Sequence, residues 1–91
     1  MRSSQKAKRI SSTQMRAARA MLRWSALDLA RASKVGVATI RRVEVIDGEI
    51  PVTAANEAAI RQALESAGIE FLEGNGTGEG VRFRKPSRNR K

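Results

Sequence analysis

A mainly α fold, four helices followed by a short C-terminal β-hairpin, is the architecture this 91-residue chain predicts. Three observations point to it. Ser and Thr residues stand where helices would start, apolar residues recur at helical spacing between Met15 and Leu64, and two short alternating segments flank a Gly-rich stretch near the end.

The elements follow in order. Residues 1–10 are polar and basic without a period, which predicts a disordered arm. Ser11 and Gln14 have the spacing of a capping box, in which each side chain satisfies the other's free backbone N–H, so the first helix starts there. Met15, Ala18 and Leu22 then share one face. Trp24 falls in a short connection. Ser25 caps the second helix, with Asp28 favoured near the helix N-terminus, and Leu29 and Ala30 point inward as far as about Ser33. A turn through Lys34, Val35 and Gly36 leads to the third helix, Val37 to about Val45, with Ile40 and Val43 inward. Asp47, Gly48 and Pro51 break the pattern before Thr53 caps a fourth helix that runs to about Ala67, with Ile60 and Leu64 inward. Gly68 ends it. Ile69–Leu72 and Val81–Arg84 predict the two hairpin strands, so the folded domain spans 11–84 and a second disordered basic tail spans 85–91.

Composition narrows the function. The chain has no Cys and no His, which removes disulfides, zinc sites built on those ligands, thiol nucleophiles and imidazole bases. No pair of carboxylates sits beside a nucleophile motif, and the Gly-rich run 74–80 precedes a strand and lacks the Lys of a phosphate loop. The expectation is a protein that is not an enzyme, uses no cofactor and no metal, does not enter a membrane and stays in the cytoplasm. The acid-free stretch 1–27 has the composition of a mitochondrial presequence, but from Gln14 onward it already reads as a helix of the domain.

The net charge of +9 is unevenly spread. Residues 11–45 carry seven basic and two acidic side chains, whereas residues 46–81 carry Arg61 against seven acids. Solubility alone gives no reason for such segregation; a polyanion facing the first half would. Two helices joined by a turn of a few residues pack closely only when the contact residue is small and its neighbours are apolar. Leu29, Ala30, Val35, Ile40 and Val43 supply that combination at the spacing of a helix-turn-helix.

The run Arg16–Ser33, with Val35 and Thr39–Glu44 after it, resembles the Xre/Cro-like, phage-repressor type of helix-turn-helix regulator over about residues 11–67. The closing segments Gly68–Phe71 and Gly80–Arg84 are similar to the tails of its short bacterial members. The resemblance implies a four-helix lambda-repressor-like domain that binds double-stranded DNA as a homodimer and regulates transcription, most often as a repressor. It implies a recognition helix over 37–45 in the major groove, with Val37, Ala38, Thr39 and Arg42 toward base edges and Arg41 flanking them. It also implies a structural ion pair between Arg19 and Glu44. The chain departs from the family at Ala26, where Gln is usual, at Leu27, normally polar, at Lys34, where Gly is usual, and at Gly36, where Ser or Thr is usual.

Arginine can bond guanine through two hydrogens, whereas Ala, Val or the Thr methyl can only touch a thymine methyl, so base readout should lean on Arg41 or Arg42. Each could instead touch phosphate or pair with Glu44. Ser25 and Arg23 at the start of the second helix, and Lys34, are the phosphate candidates. Two rival readings remain open: an antitoxin-type module that holds a protein partner through the face bearing Glu57, Glu65, Glu70 and Glu73, and a general RNA-binding protein. The second suffers from a shortage of stacking surfaces, with one Trp, two Phe and no Tyr.

Overall fold

The computed structural model describes residues 9–46, 52–73 and 78–84. The expected arm through residue 8, the breaking residues 47–51, the middle of the Gly-rich run at 74–77 and the expected tail 85–91 lie outside those residues. Four helices are followed by a two-stranded hairpin: α1 Ser12–Leu22, α2 Ala26–Ser33, α3 Val37–Glu44, α4 Ala54–Ser66, β1 Ile69–Leu72 and β2 Gly80–Phe83.

The helix starts are set locally. Ser11 and Ser25 each head a full capping box, with Gln14 and Asp28 returning a bond to the cap N–H, and the Thr53 hydroxyl accepts from Asn56 N–H. The ends rely on left-handed backbone. Arg23 (φ 59°) closes α1 and Lys34 (φ 65°) closes α2, conformations that suit glycine better than a residue with a Cβ. Gly68, at φ 108°, turns the chain from α4 into β1.

β1 and β2 are antiparallel, with Ile69 opposite Phe83, Glu70 opposite Arg82, Phe71 opposite Val81 and Leu72 opposite Gly80. The second strand therefore begins one residue before the expected Val81 and ends at Phe83. Arg84 still donates its N–H to the Gly68 carbonyl at 2.7 Å, so backbone pairing outlasts the strand itself. One sheet face carries Ile69, Phe71, Val81 and Phe83; the other carries the Glu70–Arg82 pair.

The core gathers Met15 and Ala18 from α1, Leu29 and Ala30 from α2, Val35, Ile40 and Val43 around α3, Ile60 and Leu64 from α4, and Ile69 from β1. Leu22, Phe71 and Val81 pack against it half-buried. Ile10 belongs to this core as well, fully buried, with its N–H donated to Glu57 Oε2 at 3.1 Å. The boundary of the folded part thus falls at least two residues before Ser11. A lone Ile in a basic run has no periodicity to announce it, yet burying one such side chain contributes about 1.5 to 3 kcal/mol.

Segment 9–14 ties the remaining elements together. Arg9 donates to the Val52 carbonyl at 2.6 Å, and Ser11 Oγ donates to the Glu79 carboxylate. Ser12 Oγ donates to the Ile46 carbonyl, and Gln14 Nε2 donates to the carbonyls of Leu72 (3.1 Å) and Gly80 (3.0 Å).

Candidate nucleic-acid interface

The described acids and bases of the chain divide sharply by whether they are paired. In the C-terminal half, Arg61 meets Glu65 at 3.2 Å and Glu57 at 3.9 Å, Arg82 meets Glu70 at 3.1 Å, and Arg84 donates to the Glu65 carbonyl at 2.6 Å. Glu57 is buried, and Glu79 accepts from Ser11. Among the described acids of this half, Glu57, Glu65 and Glu70 each face an arginine, so they do not form a free acidic face with Glu73. The exposed Glu70 carboxyl is held below its ordinary pKa, chiefly by the hydrogen bond from Arg82, which in turn raises that guanidinium.

In the N-terminal half Arg19 and Glu44 are joined by two bonds, Nε to Oε2 at 2.6 Å and Nη2 to Oε1 at 2.7 Å. Arg19 Nη1 donates to the Trp24 carbonyl at 2.6 Å. The side chains are 22% and 10% exposed, and the hydrogen bond to Glu44 raises the Arg19 pKa. Glu44 is thereby occupied by Arg19, and neither Arg41 nor Arg42 pairs with it.

Arg23, Arg31, Lys34, Arg41 and Arg42 remain. All five are exposed, and none makes a side-chain hydrogen bond or ion pair among the described residues. They lie at the C-terminal end of α1, on α2 and at its end, and on α3. On α3 the exposed residues through the cap are Ala38, Arg41, Arg42 and Val45, spaced i, i+3, i+4 and i+7 along one face. Val45 is 81% exposed at the end of that row.

The other sequence-derived candidates differ in accessibility. Val37 lies one turn before Ile40 and packs half-buried against the core, so it offers only part of its side chain to a base edge. Thr39 is also half-buried, whereas Ala38 is exposed. At the start of α2, Ser25 Oγ accepts from Asp28 N–H at 3.0 Å and Ser25 N–H is donated to Asp28 Oδ2 at 2.9 Å. That box leaves the N–H groups of Ala26 and Leu27 as the helix-end donors, beside exposed Arg23. Arg31 was not singled out by sequence reasoning. Its signal was the exposed spacing Leu27, Arg31, Lys34 (i, i+4, i+7), opposite the buried Leu29, Ala30 and Ser33.

Among the described residues no group of His, Cys, Asp or Glu could hold a metal ion, and no helix is long and apolar enough to cross a membrane. Comparison with protein families, with curated proteins and with solved structures gives no match for this chain.

Proposed function

We propose that the chain is a sequence-specific regulator of transcription that binds double-stranded DNA through a helix-turn-helix formed by α2 and α3, in a four-helix domain of the lambda-repressor type. The observation that carries this reading is that, among the described residues, the five exposed cations without a side-chain partner lie at the end of α1, on α2 and its end, and on α3, while the described arginines of the other half are spent on partners. A surface that leaves that many positive charges uncompensated is suited to a line of phosphates.

In this reading α3 enters the major groove. Arg41 and Arg42 read guanine edges, Ala38 meets thymine methyls with part of Thr39 and Val37 beside it, and Arg23, Arg31 and Lys34 contact the backbone. One short helix reads only a few base pairs, so two copies on a two-fold symmetric site complete the specificity.

The test is a fluorescence titration against a duplex selected from a random pool by the protein, and against an unselected duplex, at two salt concentrations. Tighter binding to the selected duplex that persists at the higher salt, and is lost in Arg41→Ala or Arg42→Ala, supports the reading. Equal binding to both duplexes that collapses with salt refutes it.

A further inference from the structure

α3 is poorly secured by its own caps. Its N-cap, Gly36, supplies no side-chain bond, and it ends at Val45 in right-handed backbone without the left-handed turn that closes α1 and α2. The last carbonyls of a helix have no partner within it and must find one elsewhere. The Val43 carbonyl finds one in the N–H groups of Val45 and Ile46, and the Glu44 carbonyl, with that of Ile46 just past the helix, finds one on α1. Arg16 Nη1 donates to the Glu44 carbonyl and Ser12 Oγ donates to the Ile46 carbonyl, one turn apart on α1. Arg19, a further turn-step along α1, holds the Glu44 carboxylate. The end of α3 is therefore held by polar contacts from α1, while Val37 and Ile40 in its first half pack into the core.

We infer that Ser12 and Arg16 are positioning residues for DNA recognition, setting the angle at which the Ala38, Arg41 and Arg42 face of α3 meets the groove without themselves reading a base; this rests on the proposed role of α3. Ser12 is fully buried, so it has no route to DNA except through the backbone it holds. Base-edge hydrogen bonds tolerate displacements of only about 0.5 Å, whereas phosphate attraction is far less demanding. Loosening the end of α3 should thus erode discrimination between sequences before it erodes binding as such.

The experiment compares wild type, Ser12→Ala and Arg16→Met on the selected and unselected duplexes, at a temperature where circular dichroism shows each fully folded. The expected result for both variants is about a tenfold loss on the selected duplex, with unselected binding within about twofold of wild type and an unchanged salt slope. Wild-type behaviour of both variants overturns the inference, and so does a parallel loss on both duplexes. A salt slope reduced by about one in Arg16→Met makes Arg16 a phosphate contact and overturns its positioning role. If Ser12→Ala fails to fold, Arg16→Met decides alone. If wild type enriches no sequence from the pool, the proposed function falls first and takes this inference with it.

Discussion

Arg19 and Glu44 join α1 to α3 by a two-point ion pair, and the guanidinium nitrogen left over holds the carbonyl of Trp24, just past the end of α1. Glu44 sits at the C-terminal end of α3, where the helix dipole disfavours a negative charge, so the carboxylate depends on Arg19 for compensation. Removing the two partners should therefore not be symmetrical. Arg19→Ala leaves a nearly buried carboxylate at an unfavourable helix end and is expected to cost about 3 kcal/mol. Glu44→Gln keeps an acceptor for Arg19 and is expected to cost about 1 to 2 kcal/mol. Urea unfolding of both variants checks the order; equal losses under about 0.5 kcal/mol would show a surface pair of no structural weight.

Ile10→Ala should cost about 2 to 4 kcal/mol, the range for emptying a well-packed core position. Val45→Ala, at the most exposed of the described large apolar residues, should change stability by less than about 0.5 kcal/mol. Thermal or urea unfolding of the two variants side by side tests whether residues before Ser11 belong to the domain.

Lys34 combines a backbone cost with a surface charge. Lys34→Gly removes the strain of a left-handed residue carrying a Cβ and is expected to raise stability by about 0.5 to 1 kcal/mol. The same change deletes one of the unpartnered cations, so affinity for any duplex should fall and the salt slope should drop by about one. A stabilised protein with unchanged DNA affinity would remove Lys34 from the interface.

The Glu70 carboxyl, lowered by Arg82, gives a pH-dependent contribution of known sign. A carboxyl with a depressed folded-state pKa stabilises the protein above its unfolded pKa, about 4.3, and that contribution is lost as pH falls through the lower folded value. Glu70→Gln should therefore lower the neutral limb of a stability-against-pH curve slightly and converge with wild type at acid pH, where the wild-type carboxyl is protonated and its contribution already lost. Because the pair is exposed, the difference should vanish in high salt. A variant curve that stays parallel to wild type through the acid range would show that the pair makes no contribution.

Much of this architecture can be read from residues a few positions apart. Ser11 with Gln14, Ser25 with Asp28, and Thr53 mark three helix starts correctly because capping is a local exchange of hydrogen bonds. The strand pattern Ile69, Phe71, Val81 and Phe83 is equally local, although the strand boundary shifts by a residue where pairing begins at Gly80. Long-range compensation is what a linear reading misses. Glu57 reads as a surface acid on an amphipathic helix, but the backbone of Ile10, 47 residues away, draws it into the interior. Glu70 and Glu79 likewise meet Arg82 and Ser11 only after the hairpin has folded back. For the proposed interface, Arg41 and Arg42 came from the resemblance to the helix-turn-helix family, and Arg31 became evident once the outward side of α2 was known.

The contacts of segment 9–14 carry a consequence for how the chain is made. Gln14 bonds carbonyls 58 and 66 residues downstream, and the Ser11 hydroxyl reaches 68 residues to Glu79. Helical domains usually fold quickly because their contacts are local, whereas loops of this length must be closed before their bonds contribute. During synthesis the first helix emerges with its closing partners still untranslated. The Gln14 and Ser11 bonds at the start of α1 can thus close only after β2 has left the ribosome, whereas the bond by which Ser12 steadies α3 needs only the chain through Ile46.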